Sequence, residues 1–279
     1  MTPDMQVPGS SLPAEHDQGQ VLVPALEAAL RQTGSASVRL LLRQFLADNH
    51  ARLDQAQLLG WIQYGQRYAA QWWEPQASRH ASLVKSGPSD AAFFREAFEQ
   101  NTFTTLYNRQ KPWRGDLARA LGNSYLSHFE DSGTIHWTVL DSRQRPVGLA
   151  SLSGYSRDNA RAEVSLGFPG EVAASTIMAA SLLVLRFAFS VAKLHKLTSY
   201  VYEDNGHARD FTKNFGFDHE GFLADHYFLP PFGFVGVNVF GLTRKNLHQN
   251  ERLRRVSARM GVGELLDRQL DPMLWINAG

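Results

Sequence analysis

The chain has 279 residues, of which 43% are hydrophobic and 20% charged, a composition typical of one globular core domain with additions. Its 28 basic and 27 acidic side chains leave a formal net charge of +1, which gives no general attraction to nucleic acid or to an anionic membrane. The sequence contains no cysteine, and this excludes a disulfide framework, a thiolate metal site and a cysteine nucleophile.

The N-terminal part divides into a polar stretch and a helical one. Residues 1–20 are rich in proline, serine and glycine, so the sequence predicts a disordered tail. They lack the basic start and the apolar stretch of a signal peptide, and we therefore expect a cytoplasmic protein. From residue 21 the apolar residues recur at helical spacing, which predicts a helical extension over residues 21–78. We interpret this extension as a domain cover or a dimer surface; docking of a carrier or partner protein is the alternative.

From residue 79 onward, strand and helix patterns alternate. In chain order they predict a strand (82–85), two helices (from 90 and around 115–129), three strands (135–140, 147–155, 162–168), a long helix (173–194), a strand (196–202), a short helix (206–214) and two strands (217–228, 234–243). This order combines an antiparallel meander with a β-α-β crossover and predicts an α+β domain over residues 79–247. Residues 248–279 are predicted to be a C-terminal helical extension.

The apolar segment 177–194 has nearly the length of a membrane span. A span needs about 20 apolar residues, and an arginine at its centre costs about 2.5–3.5 kcal/mol on insertion scales. Arg186 lies in the middle of this segment. We therefore predict a buried helix of the core with Arg186 on its solvated side.

The most specific pattern in the sequence runs from residue 194 to residue 221. A strand leads to Asn205, which opens a short helix; Gly216 and Phe217 close that helix, and Glu220 and Gly221 fall in the next strand. This pattern resembles the GNAT superfamily of N-acetyltransferases, above all the branch of ribosomal-protein N-terminal and amino-sugar acetyltransferases. The resemblance covers about residues 80–247. It implies a GNAT fold: a central, mixed, mostly antiparallel twisted sheet flanked by helices, here with the N-terminal helical extension.

The resemblance also implies acetyl-CoA as co-substrate, bound between two strands that splay apart. In this family the splayed edges hydrogen-bond the pantetheine arm, and the following helix points its N-terminus at the pyrophosphate. The cofactor-binding positions that correspond in this chain are Leu166, Phe168, Ala173, Ala174, Ser175, Thr176 and Asn205.

The phosphate loop departs from the family's pattern. Family members usually carry an Arg- or Gln-led loop with two glycines, whereas residues 171–176 contain none and begin with Glu171, which would repel phosphate. Three interpretations stay open: a modified loop that still takes CoA, a domain that has lost CoA binding, and an acyl-carrier-protein donor in place of CoA.

Two catalytic positions follow from the resemblance. Glu163 lies on the strand where several family members carry a general base, so it would remove a proton from the acceptor ammonium; the alternative is a surface carboxylate. Thr212 occupies the position where many members carry a tyrosine that protonates the leaving thiolate. A threonine hydroxyl is a poor acid, and the thiolate would then leave unassisted. The histidines show no metal-ligand spacing, so no metal is expected.

These observations predict an N-acyltransferase that moves an acetyl or other acyl group from acyl-CoA to a primary amine. The acceptor is expected to be a small molecule such as an amino sugar, or a protein N-terminus. Neither nucleic acid nor a membrane is an expected partner, and a homodimer stays open. A GNAT-shaped module without catalysis, used for binding or scaffolding, is the alternative from another functional class.

Overall fold

The structure is a computed structural model that describes residues 75–107, 115–126, 129–156, 158–229 and 233–266. All of them fall in the same structural unit, which begins at Pro75. The predicted tail over residues 1–20, the extension up to residue 74 and the chain beyond residue 266 lie outside the described residues. Those predictions therefore stay predictions.

One mixed sheet organises the described part of the chain, and its strands lie in the order β1-β2-β3-β4-β5-β6-β8-β7. The strands are β1 (Gln76–Ala77), β2 (Ala81–Lys85), β3 (Ile135–Asp141), β4 (Pro146–Ser156), β5 (Arg161–Gly167), β6 (Lys196–Tyr202), β7 (Asp218–Leu229) and β8 (Gly233–Thr243). The β5–β6 pair is parallel, and all the other neighbours are antiparallel. This confirms the predicted α+β class and the mostly antiparallel sheet. The sheet begins at Gln76, within the range 21–78 that the sequence assigned to the helical extension.

Helices cover both faces of this sheet. They are α1 (Ala91–Glu99), α2 (Asn101–Leu106), α3 (Leu117–Leu126), α4 (Phe129–Ser132), α5 (Ala174–Arg186), α6 (Gly206–Asn214), α7 (Arg244–Gln249) and α8 (Glu251–Met260). On one face Phe94 and Phe98 of α1 and Leu121 of α3 form a buried cluster with Leu149 of β4. Successive residues of a strand point to opposite faces, so the neighbours of Leu149 point towards α5.

The long apolar segment is a helix of the core. Its α-helical part, α5, continues into one π-helical turn over Phe187–Val191. By length and composition alone the window Ala174–Val191 is apolar enough to cross a membrane, and 61% of it is buried inside the protein. Phe187 packs edge-on against Trp137 of β3, with ring centroids 4.8 Å apart. Arg186 is partly exposed, as its predicted place on the solvated side requires.

The motif that carries the family resemblance folds as a capped helix. Asn205 is the N-cap of α6, and its side-chain oxygen accepts a hydrogen bond from the backbone N–H of Ala208 at 3.0 Å. Gly216 follows the helix with φ +83°, where a side chain is strained. A Cβ at this position would also lie 2.5 Å from the side-chain nitrogen of Asn250. Both features hold the start of α6 and of β7 in place.

Candidate active site

The two central strands β5 and β6 diverge after a short pairing. Three residue pairs join them, the last being Glu163 with Thr198, and no further pair is recorded between the described residues of these strands. Each strand keeps its outer neighbour: β5 pairs with β4 as far as Gly167, and β6 pairs with β8 as far as Tyr202. The opening is therefore a gap between two neighbouring strands of one sheet, and we call this gap the seam. An extended ligand can enter such a seam and bond to strand edges.

A cavity of about 130 Å³ occupies this seam, and we call it the wedge cavity. Its walls come from the separated parts of β5 and β6, from α5 and from α6. Residues that line it include Val164, Ser165, Leu166, Ser181, Val184, Ser199, Tyr200, Asn205, Ala208, Phe211 and Thr212. A water molecule needs about 10–15 Å³ of such volume, so the seam has room for a ligand and is not filled by side chains.

A second cavity of about 480 Å³, the side chamber, lies between helices α1 and α3 and the strands β3–β5. Its helical wall is mostly apolar, with Phe94, Phe98, Leu117 and Leu121, and α3 adds the polar residues Asn123 and Ser124. Its sheet wall is polar, because alternate residues of the strands share a face; it includes Thr134, His136, Ser151, Ser153, Glu163 and Ser165. The register sets His136 beside Ser151 and Ser151 beside Ser165. The volume is in the range of small-molecule pockets, about 300–1,000 Å³.

The wedge cavity and the side chamber adjoin each other. Tyr107 and Ser165 line both of them. Glu163 lines the chamber two residues before Ser165, on the same face of β5. A ligand that reached along the wedge to Ser165 would therefore end beside the carboxylate of the chamber.

Tyr107 is held at this junction by packing. Its ring stacks on Phe103, with centroids 4.7 Å apart and an interplanar angle of 27°. Its other neighbour is the backbone of Gly167, where an added Cβ would lie 2.8 Å from Cβ and 2.5 Å from Cγ of Tyr107. Burial raises the pKa of Tyr107 to about 12, while a hydrogen bond with Ser151 works in the opposite direction. The phenol is therefore protonated at neutral pH.

Glu163 lies in a weakly solvated environment. Burial raises the pKa of its carboxyl group, which brings that pKa closer to neutrality than in water. Its negative charge in turn contributes to the raised pKa values of Tyr107 and Tyr227. A carboxylate with a raised pKa is a better proton acceptor than an ordinary one, which suits a general base.

His136, which lines the side chamber, and Lys85 are two buried basic groups that influence each other. Burial, together with the charge of Lys85, lowers the pKa of His136 to about 4, so the imidazole is neutral at pH 7. Burial lowers the pKa of Lys85 to about 7, and its ammonium donates to the carbonyl oxygen of Tyr125 at 2.9 Å. Within the described ranges, no group of three or more His, Asp or Glu side chains is placed to hold a metal ion.

Four of the residues predicted for the site meet at these cavities. Leu166, Asn205 and Thr212 line the wedge cavity, and Glu163 lines the side chamber. Asn205 is the helix cap expected from the sequence, and it also borders the cavity. Thr212 is 9% exposed and lies on the wall opposite β5. The roles assigned to these residues in catalysis and cofactor binding stay predictions.

The other predicted positions are placed differently. Phe168 packs over Gly148, where an added Cβ would lie 2.5 Å from the ring, and it is not among the described residues that line either cavity. Thr176 is 5% exposed, and its hydroxyl donates to the carbonyl oxygen of His80 at 3.3 Å. Its backbone N–H is bonded to the carbonyl oxygen of Ala173. The side chain of Thr176 is thus directed towards β2 rather than towards a ligand of the wedge.

The first turn of α5 borders a third cavity. Ala174 and Ser175 line it together with Arg252, Arg255 and Arg259 of α8. All three arginines are exposed. They bring positive charge to the start of α5. The loop before this helix contains Glu171 and no glycine, so the sequence alone showed no obvious phosphate ligand there. This contribution comes from the predicted C-terminal extension, which lies outside the span of the family resemblance.

Three residues of the site, Tyr107, Ser151 and Ser165, were not predicted from the sequence. A signal for the two serines was present, because each alternates with apolar residues in its strand: Ser151 in β4, and Ser165 in β5, which also carries Glu163. Tyr107 had no such signal, because it follows a short helix and takes its position from Gly167, which is distant in the sequence.

Comparisons with known proteins bear on the fold. No protein-family model matches the sequence, and no curated protein matches it. Among solved structures, a chimera of spermidine N-acetyltransferase from Vibrio cholerae and hSSAT superposes with a TM-score of 0.53 at 19% identity, covering 62% of this chain and 99% of that one.

Two further structures give similar values. A spermidine N-acetyltransferase from Vibrio cholerae in complex with CoA and spermine has a TM-score of 0.50 at 19% identity and covers 60% of this chain and 97% of its own. A ribosomal-protein-S5-alanine acetyltransferase from Vibrio fischeri has a TM-score of 0.52 at 14% identity, and the match covers 61% of this chain and 96% of that one. At these identities the comparisons establish the shared fold.

Proposed function

Because the chain has the GNAT acetyltransferase fold, we propose that it is an N-acyltransferase that transfers an acetyl group from acetyl-CoA to a primary amine. The observation that carries the proposal is the junction of the two cavities. The seam between β5 and β6 leads to Ser165, and the carboxylate of Glu163 lies next to it in the side chamber. A thioester in the wedge and an amine in the chamber would meet beside a proton acceptor.

The residues of the wedge fit the co-substrate. Its strand edges and apolar side chains such as Leu166 would hold the pantetheine arm, with Asn205 at the start of α6 beside it. The first turn of α5 and the arginines of α8 would hold the phosphates, since free helix N–H groups and guanidinium groups both favour anions. One of the solved structures of this fold contains CoA. An acyl-carrier-protein donor is the alternative, and it would use the same arginines.

The proposed reaction needs a proton acceptor beside the amine. Glu163 would take the first proton from the acceptor's ammonium group, directly or through a water molecule, and free the lone pair of its nitrogen. The nitrogen then attacks the thioester carbonyl and forms a C–N bond; as the tetrahedral intermediate collapses, the nitrogen loses its second proton to water and the C–S bond breaks with its electron pair on sulfur. The products are an amide and the thiol. Positioning of the two substrates at the junction supplies a large part of the rate.

The shape of the side chamber favours a small amine over a protein N-terminus. The chamber lies between two helices and three strands, and its volume of about 480 Å³ suits a small molecule. Its helical wall is mostly apolar, and its sheet wall carries several hydroxyl groups. An amino sugar or a comparable small amine would use both walls.

Binding and turnover test this proposal together. Acetyl-CoA at 100 times its Kd should stabilise the folded protein by about 2.7 kcal/mol and raise its melting temperature. Thiol release from acetyl-CoA in the presence of a panel of small primary amines should then identify acceptors. If neither acetyl-CoA nor an acylated carrier protein shifts the melting temperature, the protein is not an acyltransferase, and the scaffold interpretation takes its place.

A further inference from the structure

The proposed reaction leaves one charge without an assigned partner. When the C–S bond breaks, negative charge collects on sulfur, and a preorganised hydrogen-bond donor stabilises such charge strongly. The resemblance places Thr212 where a tyrosine would serve, and a threonine hydroxyl is a poor acid. Two tyrosines lie within electrostatic reach of Glu163, namely Tyr107 and Tyr227.

We propose that Tyr107 is a further catalytic residue, which donates a hydrogen bond to the thioester sulfur as the C–S bond breaks. This inference rests on the proposed function. Tyr107 lines both the wedge cavity and the side chamber, and the reacting thioester would lie where these cavities adjoin. Tyr200 and Tyr202 line the wedge cavity alone, and Tyr227 of β7 is not among the described residues that line either cavity, so of these tyrosines Tyr107 is the one at the junction.

The ring of Tyr107 has little freedom to move away. It stacks on Phe103 and touches Phe98 edge-on, with centroids 4.7 Å and 6.1 Å apart. On the sheet side it rests against Gly167, which has no side chain to push it outward. A donor held in this way is already in place when charge develops, which is the condition under which such donors are most effective.

The chemistry of the phenol fits a donor rather than a source of protons. Burial raises the pKa of Tyr107 to about 12, well above the value of about 8.5 that is typical of a thiol. The phenol therefore keeps its proton and shares it in a hydrogen bond, while the thiolate takes its proton from solvent. The hydroxyl of Ser151 forms a hydrogen bond with the same phenol. Glu163 keeps the proton of the amine in this scheme.

Tyr107→Phe tests the inference, because it removes the hydroxyl and keeps the ring that packs on Phe103. We expect kcat with acetyl-CoA and the best amine to fall by about 10²-fold, in line with loss of one oxyanion-type donor. The Kd for acetyl-CoA, measured by calorimetry, should change by less than about threefold. Tyr125→Phe is the matched control: it removes the hydroxyl of another partly buried tyrosine, on α3, which is not among the residues that line either cavity.

Gly167→Ala supplies a second, independent variant. Its new methyl group would collide with Cβ and Cγ of Tyr107, atoms near the backbone that cannot swing aside, so the ring must shift. We expect a loss of kcat comparable to that of Tyr107→Phe, and little additional loss when both changes are combined. Additive losses would mean that the glycine acts by another route.

The outcomes separate this inference from the proposed function. If the wild-type protein acetylates the amine and the kcat of Tyr107→Phe stays within twofold of the wild-type kcat, Tyr107 is not a catalytic donor and the proposed function stands. If the phenylalanine variant loses acetyl-CoA affinity in proportion to its rate, the tyrosine serves binding and the inference is overturned. If the wild-type protein binds no acyl donor at all, both fall together.

Discussion

Glu163 is the proton acceptor of the proposed reaction. Burial raises the pKa of its carboxyl group above the ordinary value of a glutamate, and only the ionised form can accept a proton. The rate should therefore fall as the pH drops through that raised pKa. Glu163→Gln should lower kcat/KM by about 10²–10⁴-fold at neutral pH and remove the acidic limb of the pH–rate profile.

A matched control for this prediction is Glu171→Gln. Glu171 is an exposed carboxylate near the start of α5 and does not line the side chamber. Its replacement should leave the acidic limb where it is. A Glu163→Gln enzyme with an unchanged pH–rate profile would show that another group is the base.

Lys85 gives a prediction about stability rather than rate. It is 4% exposed, and burial lowers its pKa from 10.5 to about 7. Between these two values the unfolded state holds more protons than the folded state, so the free energy of unfolding should rise with pH across this window. Below about pH 7 both states are protonated, and the cost of burying the charge, at most about 5 kcal/mol, is present in full.

Denaturant unfolding of Lys85→Met at several pH values measures this effect. The difference in unfolding free energy between the wild-type protein and the variant should change in favour of the wild type as the pH rises from 7 to 10. Lys213→Met, at an exposed position of α6, should show no such trend. A difference that is flat with pH would mean that Lys85 keeps its charge in the folded protein.

At the scale of elements, helix α8 is the feature that the family resemblance did not cover. It lies along α5, and three of its arginines line a cavity with the first turn of that helix. An element from outside the resembling span thus supplies the positive charge that the loop over residues 171–176 lacks. Its contribution is open to direct measurement.

Each of Arg252→Gln, Arg255→Gln and Arg259→Gln should raise the Kd for acetyl-CoA by roughly two- to fivefold, as expected of exposed ion pairs. The triple variant should also lower the dependence of Kd on salt. Arg254→Gln is the matched control, because Arg254 is exposed on the same helix and is not among the residues that line this cavity. Equal effects of all four replacements would reveal a general loss of charge instead of a phosphate site.

Periodicity predicted most of these elements and few of their contacts. The meander β3–β5, helix α5 and the strands β6–β8 lie within a few residues of their predicted places, since each has a clear apolar period and a turn at its ends. The short helices α2 and α4 were not predicted, because four to six residues carry too little pattern. The resemblance predicted four residues that line the cavities, namely Glu163, Leu166, Asn205 and Thr212. The position of Tyr107 instead depends on the space beside Gly167, which only the folded structure shows.

At the scale of the whole molecule, the sheet places the two cavities on either side of one strand. The separation of β5 from β6 opens the wedge cavity, and the polar face of β3–β5 closes the side chamber below α1 and α3. Strand β5 belongs to both, which is why Glu163 and Ser165 lie so close to the junction. The fold is shared with the solved acetyltransferases named above. In the proposed reaction, the side chains that line these two cavities would therefore decide which substrate is bound.

Hydrogen–deuterium exchange with and without acetyl-CoA tests the wedge most directly, because it reports on the backbone amides that the ligand would cover. The account predicts slower exchange at residues 164–167, at residues 199–205 and in the first turn of α5, with the edge strand β7 unchanged. Slower exchange confined to other segments, or none at all at saturating acetyl-CoA, would contradict it.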